Sequence, residues 1–149
     1  MIYAAILSCL VIGVTDGDTM KALCPTAQES PAVVKIRLSQ IDAPEKRQPF
    51  GQQSKQALSN LCFQEQATIY VQGLDKYKRT LARVSCKNQD AASHMVQSGM
   101  AWAYTKYLTD PNIKAAQTEA QQAHRGLWTD DNPTPPWEWR HPKQPSNGL

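Results

Sequence analysis

Cys9-Leu10-Val11-Ile12-Gly13-Val14-Thr15-Asp16-Gly17-Asp18-Thr19-Met20-Lys21-Ala22-Leu23-Cys24 is the stretch that decides how this chain folds. Two β-prone runs, residues 9–14 and 19–24, flank Asp16-Gly17, and an Asp-Gly pair between such runs is a strong hairpin signal. With Asp16-Gly17 at the turn, Cys9 and Cys24 are equidistant from it and face each other across antiparallel strands. The 4 cysteines admit three pairings, and this symmetry favours Cys9–Cys24, leaving Cys62 for Cys86. Four reduced, buried thiols are the alternative, common in cytosolic proteins. The hairpin symmetry favours disulfides, and with them a periplasmic or secreted setting. A zinc site is disfavoured, because the chain has no Cys-x-x-Cys pair and its 3 histidines are scattered.

Outward from the hairpin, residues 33–41 read as a third strand, with Val34, Ile36 and Leu38 on one face and Lys35, Arg37 and Ser39 on the other. Pro44 then breaks regular structure. A first helix is expected from about Pro49 to Leu61, with Phe50, Ala57, Leu58 and Leu61 at helical spacing. Residues 67–71 and 80–85 supply strands four and five. Asp90 caps a short second helix that ends before Gly99. Asp110, Pro111 and Gly126 punctuate a third, whose inner stripe is Ile113, Ala116, Ala120 and Ala123. Five short strands with helices inserted and appended predict a small, strongly curved sheet with helices on one side. Beyond Asp130 the prolines at 133, 135, 136, 142 and 145 describe an extended tail over 131–149, anchored by Trp137 and Trp139 and mobile at its end. The expected division is therefore one domain over 1–130 and that tail.

The length of 149 residues and the 41% apolar fraction suit a single globular domain. A net charge of +3 suits a polyanionic partner without demanding one. No segment has the length of a membrane span, and the opening Met1-Ile2-Tyr3-Ala4-Ala5-Ile6-Leu7, with no basic residue ahead of it, makes a poor signal peptide as it stands. A remnant of one and the lead into the first strand are both open, and the second suffices because the apolar run continues through Leu10-Val11-Ile12.

Chemistry concentrates in Asp16-Gly17-Asp18-Thr19, in Arg37 with Asp42-Ala43-Pro44-Glu45, and in Asp75-Lys76-Tyr77-Lys78-Arg79. Asp18 and Asp42 are the leading ligands for a hard divalent cation, with a backbone carbonyl as a third donor and room left for water and substrate. An EF-hand loop is rejected, since the later oxygen ligands and the closing glutamate are missing. Glu45, fixed by the turn after Pro44, is placed to act as a base on an attacking water. Arg37 and Arg79 offer planar forks that bracket the charge of a pentacoordinate phosphorus. Tyr77 among cations suits a nucleotide sugar or base. Each segment alone has a plainer reading: a hairpin turn, a solvated glutamate, a basic loop. Their joint occurrence in this order does not.

The set resembles the staphylococcal nuclease (thermonuclease) family over roughly residues 9–128, with further matches at Gly51, Ser54, Lys55 and Leu58, at Leu81-Ala82 and at Gly99-Met100-Ala101. The resemblance implies a five-stranded oligonucleotide/oligosaccharide-binding (OB) barrel with three helices, an α+β fold with a mostly β core. It implies Ca2+ held by Asp18, Asp42 and the carbonyl of Ala43, catalysis by Arg37, Glu45 and Arg79, and substrate contacts from Lys76, Tyr77 and Tyr104, with Tyr107 nearby. Alanine at 43, where the best-known member has threonine, serves equally well if the ligand is the backbone carbonyl. The implied reaction is hydrolysis of DNA and RNA to 3′-phosphate ends by a monomer, with little sequence preference and a preference for single strands or frayed ends. A rival is the same barrel binding single-stranded nucleic acid or protein without cutting. A third reading, a disulfide-stapled secreted protein whose Pro-Pro-Trp-Glu-Trp tail docks a partner, is compatible with the first.

Overall fold

The computed structural model describes residues 3–28 and 30–142. Strand β1 (Ala5–Asp16) lies between β2 (Thr19–Cys24) and β5 (Gln66–Leu74), antiparallel to both. β2 continues to β3 (Ala32–Leu38), and β5 to β6 (Thr80–Cys86). A parallel pairing of β3 with β6 closes the ring. The result is the expected five-stranded OB-type barrel. Alternation fills it: Cys9, Val11, Met20, Ala22, Ile36, Leu38, Ala67, Ile69, Ala82 and Val84 all point inward and are buried.

The hairpin turn is Gly17-Asp18, with Asp16 opposite Thr19, one residue beyond the expected Asp16-Gly17. Register shifts after Val11 and Val14 absorb the difference, because β1 carries extra residues that β2 lacks. Leu10 therefore faces Leu23, and Cys9 meets Cys24 at a Cα separation of 4.5 Å. Cys62 and Cys86 have Cα atoms 5.3 Å apart. Both pairs stand within disulfide geometry in the pairing expected.

Helix α1 (Gly51–Cys62) lays Ser54, Leu58, Leu61 and Cys62 on the barrel. It begins after Phe50, whose φ of 69° stops the helix from extending back to Pro49. Asp90 closes the two-residue strand β7 (Gln89–Asp90) and caps α2 (Ala91–Gln97), accepting the Ser93 N–H. Asp110 caps α3 (Pro111–Gln122) through the Asn112 N–H. Ile113 and Ala120 are buried and Ala116 is half-buried as expected, but Ala123 is exposed because α3 ends one residue before it.

Two elements depart from the sequence reading. The third strand stops at Leu38 instead of running to residue 41, because Gln40 takes φ 76°. Ile41–Asp42 then forms a separate bridge, β4, paired with β8 (Trp102–Ala103). The segment after Asp130 is not simply extended: Pro136–Arg140 forms a short helix, α4, with proline in its first turn. The expected mobile end and the residues Met1 and Ile2 lie outside the described residues. No helix among the described residues is long and apolar enough to cross a membrane.

Candidate active site

The hairpin turn places Asp18 at the mouth of the barrel. Its Oδ1 accepts the Thr19 hydroxyl at 2.8 Å and its Oδ2 accepts the Ala43 N–H at 2.7 Å. That second bond ties the first acidic segment to the second across 25 residues. The approach is close: a Cβ on Gly17 would overlap the Ser54 hydroxyl, and one on Gly51 would overlap the carbonyl of Glu45. Two glycines thus let the hairpin and the Glu45 turn pack onto α1.

Arg37, at the end of β3, turns its guanidinium inward. Nη1 donates to the Leu38 and Ile41 carbonyls, while Nη2 lies 3.5 Å from Asp18 and 3.4 Å from Asp42. The β4–β8 bridge sets Asp42 opposite Trp102, so that the Asp42 carboxylate is only 1% exposed. Burial pushes its pKa above the ordinary value, and the Asp18 charge pushes the same way against Arg140 and Arg37. Asp16 is raised as well, by burial and then by the charges of Asp18 and Glu45. Glu45 is held at its backbone, its N–H donating to Gln48 Oε1 at 3.0 Å and its carbonyl accepting the Gln48 N–H at 2.9 Å.

Asp18, Arg37, Asp42, Ala43 and Glu45 therefore meet in one place. Arg79, Lys76 and Tyr77 form a second group on the loop before β6. Asp75 accepts the Tyr77 and Arg79 N–H groups and pairs with Arg79 Nε at 2.7 Å. The Arg79 guanidinium and the Lys76 ammonium lie 5.3 and 5.1 Å from the Tyr77 ring centre. Arg79's ion pair among the described residues is with Asp75, not with Asp18 or Asp42. The barrel closure nevertheless sets Arg37 opposite Leu81, two positions from Arg79 on the adjacent strand.

Tyr104 follows β8, its N–H donating to the Gln40 carbonyl, and packs edge-on against Tyr107 at 5.0 Å. Its face is covered by Trp137, parallel within 3° at 5.3 Å. Trp137 also meets Trp102 at 5.6 Å. Three residues bracing the site were not evident from sequence. Gln40 accepts the Thr109 and Asp110 N–H groups and so links the β3–β4 corner to α3. Gln48 holds Glu45 and donates to the Thr134 carbonyl at 2.6 Å. Arg140, at the end of α4, pairs with both Asp42 oxygens at 3.0 and 2.6 Å and with Glu45 at 2.7 Å. The available signal for Arg140 was its place directly after the Trp-Glu-Trp anchor, but nothing there points to partners 98 and 95 residues away.

Carboxylate oxygens are the donors a hard divalent cation would take, and here Arg37 and Arg140 engage them. Asp18 and Asp42 are buried carboxylates converging on Arg37, with Glu45 beside them, and the remaining negative charge attracts a guanidinium from the far end of the chain. Among the described residues no group of three His, Cys, Asp or Glu side chains is placed to hold a metal ion.

Residues 35–130 match the family described as Staphylococcal nuclease homologue. The chain is 44% identical over 133 residues to an uncharacterized endonuclease of Haemophilus influenzae, covering 89% of this chain and 72% of that one. It is 40% identical over 134 residues to an uncharacterized endonuclease of Escherichia coli O157:H7, covering 89% and 84%. It is 36% identical over 141 residues to a micrococcal nuclease of Shigella flexneri, covering 87% and 78%. A barrel closed by β3 and β6, with Arg37 buried between Asp18 and Asp42 at its mouth, belongs to a member of the staphylococcal nuclease family.

Proposed function

We propose that this protein is a calcium-dependent nuclease that hydrolyses phosphodiester bonds in DNA and RNA and leaves 3′-phosphate ends. The observation that carries the reading is the buried Asp18–Arg37–Asp42 group with Glu45 next to it: two carboxylates for a cation, a fork for phosphate and a base in one mouth. Asp18, Asp42 and the Ala43 carbonyl would hold Ca2+, which when bound supplies a positive field at the phosphoryl oxygens and the attacking water.

The chain's own residues divide the remaining work. Glu45 takes a proton from the water whose oxygen forms the new bond to phosphorus. The phosphorus–5′-oxygen bond breaks, the departing oxygen takes a proton from solvent as Glu45 returns its own to solvent, and the phosphate stays on the 3′ side. Arg37, already desolvated, donates to the equatorial oxygens as their charge grows, and Arg79 does so from the loop before β6 after exchanging Asp75 for phosphate. Lys76 and Tyr77 take a terminal phosphate and its sugar, and the Tyr104 ring stacks a base. None of these contacts reads base identity, which accounts for low sequence preference and for a bias toward single strands. The paired cysteines support a periplasmic or secreted location.

The test is cleavage of end-labelled single-stranded DNA with calcium and with excess chelator. Calcium-dependent cutting that leaves 3′-phosphates and is lost in Asp42→Ala is the expected result. Binding without cutting, unchanged by chelator, would instead make the barrel a nucleic-acid-binding module.

A further inference from the structure

The residues of α4 fill the site from within. Gln48 holds the Thr134 carbonyl at 2.6 Å, Trp137 packs on Trp102 and lies flat on Tyr104, and Trp139 lines a cavity with Pro44 and Phe50. These contacts deliver Arg140 to the acidic group, where its guanidinium engages both oxygens of Asp42 and one of Glu45. Asp42 is the most buried carboxylate of the site, and Glu45 is the base of the proposed reaction. A cation bound to Asp42 and a guanidinium on the same two oxygens would be like charges in contact inside a poorly solvated mouth.

We propose that residues 135–140 are an intramolecular closure of the site, in which Arg140 competes with the divalent cation for Asp42 and Glu45 while Trp137 occupies the Tyr104 face that a nucleobase would take. The inference rests on the reading of Asp42 as a cation ligand. Closed, the site has part of its negative charge offset by the chain itself, its base paired and its stacking surface covered. Open, all three are released together, because α4 is only five residues long and carries both Trp137 and Arg140. Cation binding and tail docking then exclude each other, and each weakens the other by the same factor. A tail docked about nine-tenths of the time raises the apparent calcium Kd about tenfold. The closure is anchored by the Arg140 ion pairs, the two Trp137 ring contacts, the Gln48–Thr134 hydrogen bond and the seat of Trp139 beside Pro44 and Phe50, all of which calcium together with substrate has to outweigh.

Calorimetric titration of the full chain with calcium tests this, using wild type, Arg140→Ala and Trp137→Ala, with circular dichroism confirming that each variant folds. Both variants should bind calcium more tightly, by roughly tenfold. In wild type, calcium should move the Trp137 indole N–H resonance, assigned from its loss in the Trp137→Ala spectrum, toward its solvent-exposed position. Tightening in Arg140→Ala alone would reduce Arg140 to a nearby positive charge and overturn the closure. Equal affinities in all three proteins would overturn it while leaving the calcium site standing. Binding of calcium by none of them would remove the metal reading, and the closure with it.

Discussion

Arg37 has two tasks that pull against each other when it is mutated. Its Nη1 satisfies the Leu38 and Ile41 carbonyls at the β3–β4 corner, while Nη2 faces Asp18 and Asp42. Lysine would keep the charge but cannot serve both carbonyls and a phosphate fork. Arg37→Lys should therefore lower the cleavage rate by ~10²–10³ and also cost about 1–3 kcal/mol of stability through unsatisfied buried carbonyls. Glu45→Gln should separate the two effects. Its backbone bonds to Gln48 survive the change, so the rate should fall by ~10²–10⁴ with unfolding by urea almost unmoved. Near-wild-type rates in both variants would place the chemistry elsewhere.

At the scale of elements, one guanidinium ties two helix starts to the barrel. Arg83 on β6 donates to Asp90, the cap of α2, at 2.7 and 3.2 Å and to Asp110, the cap of α3, at 2.9 Å. Burial pushes the Asp90 carboxyl up, but hydrogen bonds from Arg83 and Ser93 outweigh it and hold the pKa below the ordinary value. A carboxylate depressed in the folded state stabilises fully above its unfolded pKa and loses that contribution as pH falls through the folded one. Arg83→Ala should cost about 1–3 kcal/mol at pH 7, less than a fully buried pair because Asp90 and Asp110 are partly exposed, and the gap to wild type should narrow below about pH 4. Urea unfolding at pH 7 and pH 3 measures both; a gap independent of pH would show that the arginine acts through packing alone. Both caps were legible in sequence because Asp before a helical period has a local physical cause. The β4–β8 bridge was not, since two residues cannot display an alternation, and neither was the Gln40 corner, where φ 76° is held by Thr109 and Asp110 from 69 and 70 residues away. The short helix at Pro136–Arg140 was hidden by its prolines, which read as extension although proline also starts helices. Arg140 was missed for the same reason as Gln40: its role is set by distant partners.

The molecule as a whole is a barrel that carries its two cysteine pairs, each at disulfide distance, at different places. Cys9 and Cys24 join β1 to β2 at the end of the hairpin remote from Asp18, whereas Cys62 and Cys86 join the end of α1 to the end of β6. The loops they close span 15 and 24 residues, so each link should restrict the unfolded chain by about 3 kcal/mol. Non-reducing peptide mapping should recover Cys9 with Cys24 and Cys62 with Cys86, and four free thiols in protein taken from its native compartment would remove the case for export. The two links should differ in their reach to the catalytic end. α1 carries Ser54, which packs beneath Gly17, and begins at Gly51 beneath the Glu45 turn. Opening Cys62–Cys86 by Cys62→Ala with Cys86→Ala should therefore lower Tm and, near the melting range, also loosen the seat of Asp18 and Glu45. Opening Cys9–Cys24 should lower Tm with catalysis at moderate temperature unchanged, because the β1–β5 ladder still holds that end of the sheet. Activity and melting measured in parallel on the two double variants distinguish these outcomes, and an equal loss of activity at every temperature would mean that the barrel transmits strain from either link to the site.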